Sequence, residues 1–257
     1  MAEQKGVMKF AGKIGGLSFY NSVYGYQVRQ KGGASAERIK TGSEFARTRE
    51  NMTEFGRAGQ GSKLLRNAFK SLLTLCADRQ VHSRLTKALM KTIKADAIRG
   101  RGERHVAHGG ATLLEGFEFN IASPLHSVFH GKFETSINRV KGTMQVNIAA
   151  CVPVKDLTPP PGATHCRFVM GAGEVDFERA VMAAAFAQSA DLLVSDAANI
   201  PVALETAVTT GSGHPLFLVL GVVFGQHVNG EVYDLTAGDS NALMLGKVDV
   251  VVQSISS

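Results

Sequence analysis

The chain has 257 residues, of which 44% are hydrophobic and 19% charged, a composition typical of a globular protein and unlike that of a disordered chain. Its three cysteines, Cys76, Cys151 and Cys166, show no C-x-x-C spacing, which argues against a disulfide framework and against a structural zinc site. The net charge of +6 is unevenly distributed, with 21 basic and 8 acidic residues up to residue 110, but 7 basic and 14 acidic residues from residue 111 onward.

This charge asymmetry favours either a polyanionic partner or a partner of complementary charge, and a second copy of the chain meets the second description. No run of 18 apolar residues occurs, so no membrane span is expected. The first residues include lysines but lack the continuous apolar region of a secretory signal. We therefore expect a cytoplasmic protein, or one that is already processed or exported without a leader.

Residues 1–40 are predicted to form a β-hairpin arm. The stretch GKIGGLSFYNSVYGYQVRQKGG, residues 12–33, alternates apolar and polar positions on both sides of Asn21-Ser22, the predicted turn. It also contains three of the four tyrosines in the chain. Because an isolated two-stranded hairpin is only marginally stable in water, this arm needs a surface to pack against.

Residues 41–110 are predicted to form a basic helical region that ends in a Gly- and Arg-rich linker. Thr41 or Ser43 is the expected N-cap, and Gly59 and Gly61 are expected to end the first helix. Two further helices follow, each with a broad apolar stripe, around residues 64–76 and 81–93. Their core would be thin, so the helices are expected to pack on another element as well.

Residues 111–257 are predicted to form an acidic antiparallel β-sandwich of immunoglobulin-like, Greek-key type, because seven to nine short apolar segments with regular turns follow one another. Asn229-Gly230 is a strong hairpin signal. The segment DFERAVMAAAFAQ, residues 176–188, could instead be a helical crossover. The predicted strands are EFNIA, FETSINRV, TMQVNIAAC, HCRFVM, DLLVS, PVALETAV, PLFLVLGVVF, EVYDL and LGKVDVVV.

No motif in the sequence supports catalysis, a cofactor or a metal. GAGEVDFERA, residues 171–180, lacks the third glycine of a dinucleotide fingerprint and is interpreted as a turn, and GKIGG lacks the frame of a phosphate loop. His105 and His108 have metal-ligand spacing, but the surrounding glycines disfavour the helix that would align them. His165-Cys166 would point to opposite faces of a strand, and Ser212 near His214 lacks the context of a nucleophile elbow.

The strongest functional signal is the combination of a tyrosine-rich arm with a basic helical region. The many Lys and Arg residues of the helices could form an ordinary solvated surface, a surface for a polyanion, or a surface that contacts the acidic region of the next copy. The third interpretation also explains the arm, which could add its strands to a sheet edge of a neighbour. The predicted interface residues are Phe19, Tyr20, Tyr24, Tyr26, Val28, Arg29, Arg47, Arg49, Arg57 and Arg66.

The segment GKIGGLSFYNSVYGYQVR, the helix start TGSEFARTREN and the predicted C-terminal β-sandwich together resemble an uncharacterised bacterial family. Its members share a G-K-hydrophobic-G hairpin, a T-x-x-x-F-x-R helix start and an immunoglobulin-like C-terminal region. The resemblance is best over the first 60 residues, and the tryptophan often present in the hairpin is missing here. The resemblance implies no activity and transfers no catalytic residues.

The sequence therefore predicts an α+β protein that is a non-enzymatic structural subunit, self-associating into a filament, tube or similar homopolymer. The alternative is a nucleic-acid-binding or packaging protein that uses the same arginines. A ligand- or carbohydrate-binding sandwich is a third class, supported only by the loops of the β-region.

Overall fold

The structure, a computed structural model, describes residues 2–30, 32–76, 78–107, 110–236 and 240–251. The chain divides into two compact units, residues 1–49 and 50–257. It combines α-helices with antiparallel sheets, so the predicted α+β class is confirmed. The predicted three-part division at residues 40 and 110 stays a prediction.

The N-terminal unit contains a four-stranded antiparallel sheet with the order β1-β4-β3-β2. Its strands are β1 (Ala2–Glu3), β2 (Gly12–Ile14), β3 (Leu17–Ser22) and β4 (Gly25–Gln30). The predicted hairpin is present as β3 and β4, but its turn is at Val23-Tyr24, two residues later than expected. Gly25, with a φ of 95°, has the left-handed conformation that favours glycine next to such a turn.

A short helix, α1 (Ala36–Thr41), follows the sheet, and a 3-10 turn (Ser43–Phe45) leads into helix α2 (Ala46–Ala68). The N-cap of α1 is Ser35, whose Oγ accepts a hydrogen bond from the Arg38 N–H at 3.2 Å. The predicted caps Thr41 and Ser43 are therefore wrong, because Thr41 ends α1 and Ser43 begins the 3-10 turn.

The C-terminal unit contains most of α2, together with α3 (Lys70–Leu73) and α4 (Val81–Lys94). Helix α2 continues through Gly59 and Gly61, so the predicted break is wrong. A Cβ at Gly61 would lie 3.3 Å from Phe177 and 3.4 Å from Leu89, which shows that glycine here permits close packing. The helix-propensity cost of about 1 kcal/mol per glycine is small beside such packing.

Two antiparallel sheets follow the helices. The smaller sheet has the order β10-β6-β5, and the larger has the order β12-β11-β7-β8, with β13 paired to β11 and β9 paired to β7. The elements are α5 (Leu125–Val128), β5 (Glu134–Asn138), β6 (Thr143–Cys151), α6 (Pro153–Asp156), β7 (His165–Asp176), β8 (Val181–Gln188), β9 (Leu192–Leu193), β10 (Ile200–Ala207), β11 (Leu216–Val228), β12 (Glu231–Asp234) and β13 (Ala242–Asp249). A further 3-10 turn spans Ala111–Leu114.

The structure settles three local predictions for the β-region. The Asn229-Gly230 hairpin is confirmed, with φ values of 53° and 93° at its two residues. The segment 176–188 forms a turn and then strand β8, so it is not a helical crossover. The predicted strand EFNIA is wrong, because only an isolated bridge from Glu118 to Met244 forms there.

Two apolar cores lie on opposite faces of the larger sheet. One joins the helices to this sheet and includes Leu65, Phe69, Leu89, Val219 and Leu245. The other lies between the two sheets, and both sheets contribute buried side chains to it. The helices therefore pack on a sheet, which supplies the additional surface that the sequence required.

Candidate functional site

The N-terminal sheet is amphipathic. Residues directly opposite each other on antiparallel strands point to the same face, and the register pairs Phe19 with Val28, Leu17 with Ile14 and Tyr20 with Gln27. One face is therefore mainly apolar and the other polar. The apolar face carries Ala2, Ile14, Leu17, Phe19, Tyr26 and Val28 together with the polar Asn21 and Gln30, whereas the polar face carries Glu3, Lys13, Ser18, Tyr20, Ser22, Gln27 and Arg29.

The predicted aromatic anchors are thus divided between the two faces. On the apolar face, the ring of Phe10 lies 5.7 Å from that of Phe19, and Lys9 Nζ lies 5.8 Å from the ring centre of Tyr26. On the polar face, the guanidinium of Arg29 lies 5.8 Å from the ring centre of Tyr20. Tyr20 is therefore engaged with a cation on the polar face, away from the apolar anchors.

The four most exposed apolar side chains among the described residues of the N-terminal unit are at one end of its sheet. The Gln4 N–H donates to Tyr26 O at 2.9 Å, and the Gln4 side chain accepts from the Phe10 N–H at 2.9 Å. The loop 5–9 is therefore at the same end as the Val23-Tyr24 turn. We call Val7, Met8, Val23 and Tyr24 the apolar tip. Val7 and Val23 are almost fully exposed, and Tyr24 and Met8 are 81% and 74% exposed.

Sequence reasoning identified Tyr24 but not the other three members of the apolar tip. The available signal was the pair Val7-Met8 between Lys5 and Lys9, an apolar pair with no periodic context. Neither strand nor helix periodicity marks such a loop. Its proximity to Tyr24 depends on the strand order β1-β4-β3-β2, which local patterns do not specify.

The four predicted helical arginines have different environments. Arg47 is exposed. Arg49 Nη1 donates to Ile39 O at 2.8 Å and to Gly42 O at 2.7 Å. Arg57 Nη1 donates to the Gly102 and Arg104 carbonyls at 2.6 and 2.9 Å. Arg66 is half-buried, and its Nε has no hydrogen-bond partner within the described ranges.

Exposed lysines are present on α2, α3 and α4. Lys87, Lys91 and Lys94 recur on one side of α4, and Lys63 and Lys70 are also exposed. None of these five lysines forms an ion pair within 4 Å in the part of the chain that the structure describes. Two acids of the helical region are already engaged, since Glu54 accepts from the Gly102 N–H at 2.9 Å and Asp78 pairs with Arg84.

The candidate nucleophiles are not activated. All three cysteines are free and buried. Burial raises the pKa of the Cys76 and Cys166 thiols to about 12 and that of Cys151 to about 11, so the reactive thiolate is scarce at neutral pH. Ser212 is buried, and its Oγ donates to Glu174 rather than to His214.

The metal-ligand spacing at residues 105 and 108 cannot be followed in space, because His108 lies outside the described residues. Within those residues, no group of three or more His, Cys, Asp or Glu side chains is arranged to hold a metal ion. Nor does any of the described helices combine the length and apolar character needed to cross a membrane.

Charged side chains line a cavity of about 330 Å³ beside the β7–β8 turn. Arg99 lies 3.8 Å from Glu178, and both Arg179 and His214 lie within 4.0 Å of Asp176. The two arginines at this cavity are thus balanced by carboxylates of the same chain. Such an arrangement gives an incoming anion little net attraction.

Glu118 is the most clearly perturbed acid in the C-terminal unit. Burial raises its pKa to about 7, although the Leu125 N–H and the charge of Arg84 both oppose this shift. Its Oε1 accepts from the Leu125 N–H at 3.1 Å, and its Oε2 is buried with no partner among the described residues. A carboxyl group that titrates near neutral pH can exchange protons with solvent in the physiological range.

We predict that Glu118→Gln stabilises the protein at pH 8 but has little effect at pH 5. The folded pKa lies above the unfolded value, so folding is favoured when Glu118 is protonated, and this advantage is lost as the pH rises from about 4.5 through 7. The difference between the two pH values should be roughly 2–3 kcal/mol. Urea unfolding at both pH values measures it.

Glu103→Gln is the matched control, because Glu103 is exposed. The variant should change the free energy of unfolding by less than about 0.5 kcal/mol at either pH. Equal effects of Glu118→Gln at pH 5 and pH 8 would contradict the raised pKa.

Comparisons of the chain with protein-family models, with curated protein sequences and with solved structures gave no match. The resemblance to an uncharacterised bacterial family therefore stays a prediction, and the function has to be argued from the geometry of the chain itself.

Proposed function

We propose that the chain is a non-enzymatic structural subunit that self-associates into a homopolymer, such as a filament or tube, through its N-terminal unit. The observation that supports this most strongly is the apolar tip. Four apolar side chains stand exposed at one end of a sheet, and none of the residues 2–30 and 32–49 is fully buried.

A sheet without a buried core gains little stability from its own packing. Covering the hydrophobic face of a small sheet with another element stabilises it, and exposed apolar groups at one end of a sheet are typical of an interaction site. The apolar face and the apolar tip would both lose contact with water in an assembly. Tyr24, Tyr26 and Phe19 would then be buried anchors of the kind that dominate interface energies.

Charge supports a second copy as the partner. The N-terminal unit, residues 1–49, has 9 basic and 3 acidic residues, whereas residues from 111 onward have 7 basic and 14 acidic residues. A head-to-tail contact would bring these opposite charges together, which speeds association and fixes orientation. Such a contact forms a ring if it closes and a filament if it does not. Arg47 and Arg29 are exposed members of the predicted set and could take part in it.

The contact would rest more on side chains than on strand addition. The edge strands β1 and β2 have only two and three residues, so each could add few main-chain hydrogen bonds to a neighbouring sheet. Strand addition by the arm remains part of the proposal, with the apolar face and tip supplying most of the free energy of association.

Within the C-terminal unit, we propose that the two packed sheets form an immunoglobulin-like β-sandwich. The second core supports this, because buried residues of β6 and β10 pack with those of β7 and β11. All described strand pairs in both sheets are antiparallel, as expected for such folds.

We predict that Val7→Asp combined with Tyr24→Asp, the tip variant, abolishes large particles. A carboxylate at each position would have to be desolvated in the contact, yet both sites are exposed in the subunit, so the fold should be retained. Sedimentation velocity and negative-stain microscopy after nuclease treatment measure particle size, and circular dichroism checks the fold.

Tyr233→Asp is the matched control, since Tyr233 is an exposed tyrosine on β12 of the C-terminal unit. It should assemble like the wild type. An unchanged particle distribution for the tip variant, or an equal loss for the control, would contradict the proposed role of the N-terminal unit.

Nucleic-acid binding is the second candidate function, favoured by the exposed lysines of α2, α3 and α4. Lys87, Lys91 and Lys94 could neutralise successive phosphates, which requires positive charge but no particular motif. In that case the purified protein would carry nucleic acid, and its affinity would fall steeply with salt. Replacing the three lysines with glutamine would lower the salt dependence, whereas the tip variant would leave it unchanged.

A further inference from the structure

Strand β8 is an edge of the larger sheet that lacks the usual protection against pairing with another chain. Its eight residues, VMAAAFAQ, contain no charge and no proline, and they pair with β7 without a bulge. Edge strands are normally protected by charges, prolines, bulges or shortness.

Other edge strands of the C-terminal unit do have such protection. Strand β10 contains Pro201 and Glu205 and has a bulge between Ile200 and Val202. Strand β5 has five residues and begins with Glu134, and β12 has four residues of which two are acidic. The unprotected state of β8 is therefore a particular feature of this strand.

The outer main-chain groups of β8 point away from the sheet at alternate residues. The Ser189 N–H donates to Phe168 O at 2.9 Å, and from this pair the register continues along β7 and β8. Hydrogen-bonded and non-hydrogen-bonded pairs alternate in an antiparallel ladder. The odd-numbered residues of β8 therefore bond to β7, and Met182, Ala184 and Phe186 direct their N–H and C=O groups outward.

The same three residues place their side chains on the helix-facing side of the sheet. Met182 is opposite Val175, and Phe186 is opposite Gly171. Val175 belongs to the core that the helices form with the sheet. Met182 and Phe186 nevertheless remain 39% and 44% exposed, so the helices leave this end of the sheet uncovered.

We propose that β8 pairs antiparallel with β8 of a second copy, about a twofold axis at Ala184. This register puts Met182 of each copy opposite Phe186 of the other, and Ala184 opposite Ala184. All three pairs join residues whose main-chain groups point outward, so each pair forms two hydrogen bonds. Two separate Met182–Phe186 pairs then flank the alanine pair, and each covers two side chains that are exposed in a single copy and allows the sulfur–ring contact that methionine favours.

Strand β8 has no charge that would face its like across the twofold axis. Arg179, which precedes β8, lies within 4.0 Å of Asp176 of its own chain, and Asp191, which follows β8, lies 3.8 Å from Arg167. The pairing of two β8 strands therefore rests on the uncharged edge and its apolar side chains, and not on attraction between the flanks.

This contact goes beyond the proposed function, because it does not involve the N-terminal unit. A twofold contact closes on itself and gives only a dimer. A polymer needs a second, different contact, which the N-terminal unit would supply. The growing unit would then be a dimer joined through a continuous sheet.

The test measures the oligomeric state of the full-length tip variant by sedimentation over a series of protein concentrations. The tip variant is measured alone and in combination with Phe186→Lys. We expect the tip variant to be a dimer and the combination to be a monomer, with the dimer Kd raised about tenfold or more, because an unpaired ammonium would face Met182 of the partner. Ala203→Lys, at an exposed alanine of the edge strand β10, is the matched control and should leave the dimer intact. Thermal unfolding checks that Phe186→Lys retains the fold.

Adding Met182→Glu to Phe186→Lys tests the register, because each new carboxylate then lies opposite the new ammonium of the other copy, and this should restore the dimer. A register centred on Ala185 would not bring these two positions together.

A monomeric tip variant, or a dimer unaffected by Phe186→Lys, would overturn the proposal. Phe186→Lys in otherwise wild-type protein gives a further test. If large particles are lost but dimers are retained, the proposal is overturned, because β8 would then be the site that binds the N-terminal unit of the next copy. If the tip substitutions leave large particles intact, the proposed function fails, and Phe186→Lys in wild-type protein still tests β8.

Discussion

Replacing Phe69 with alanine should lower the free energy of unfolding by about 3–5 kcal/mol, the usual cost of removing a fully buried phenyl ring. Phe69 is completely buried where the helices pack on the larger sheet. Its ring meets that of Phe119 edge-on, with centres 6.3 Å apart. Urea unfolding measures the loss, and Phe55→Ala, at an exposed phenylalanine of α2, should cost less than about 1 kcal/mol.

A double-mutant cycle with Gly173→Ala tests the contact itself. A Cβ at Gly173 would lie 2.7 Å from Phe69 Cζ, so the single substitution should destabilise by about 1–3 kcal/mol through overpacking. In the Phe69→Ala background this cost should vanish, since the ring is gone. Additive effects of the two substitutions would show that Phe69 and Gly173 do not contact each other.

This packing also explains the G-x-G of residues 171–173. From sequence alone, the motif lacks the third glycine of a dinucleotide site and predicts a turn. The motif is in the middle of β7 instead, where both glycines accommodate the Phe69 ring. A glycine in a strand marks a close approach of another group as often as a bend, and only the tertiary structure shows which group approaches.

Prediction from sequence succeeded where one local signal was strong. Strand β6 has the predicted bounds, and the Asn229-Gly230 turn forms as expected. It failed where packing decided the result, as at Gly61, which meets Leu89 and Phe177 within the C-terminal unit. Such contacts join residues far apart in sequence, and no pattern of period 2 or 3.6 encodes them.

The candidate site was predictable in composition but not in detail. Period-2 alternation separates Phe19 from Tyr20 on β3 and groups Tyr26 with Val28 on β4, but only the pairing of the two strands shows that Phe19 shares a face with Tyr26 and Val28. Arg49 and Arg57 could not be distinguished from Arg47 by sequence, since their carbonyl partners are supplied by turns of the chain. The uncharged run of β8 was visible in the sequence, yet its meaning depends on its being an edge strand.

Arg84→Met should destabilise the protein by about 3–5 kcal/mol at pH 7, because it leaves a buried carboxylate without its cation. Arg84 forms an ion pair with Asp78, whose side chain is 6% exposed. It also donates to Glu118 O at 2.8 Å and packs over the Phe117 ring, 5.1 Å from its centre. Lys87→Met, at an exposed position of the same helix, should change stability by less than about 0.5 kcal/mol.

The loss should depend on pH and on Asp78. Burial alone would raise the pKa of Asp78, but hydrogen bonds from the Gln80 N–H and from Arg84 hold it below its usual value. The stability that this carboxylate contributes is present above its unfolded pKa of about 3.8 and is lost as the pH falls. Arg84→Met should therefore cost less at pH 3 than at pH 7 in urea unfolding. Asp78→Asn should recover part of the loss at pH 7, and an equal cost at both pH values would show that the ion pair contributes little.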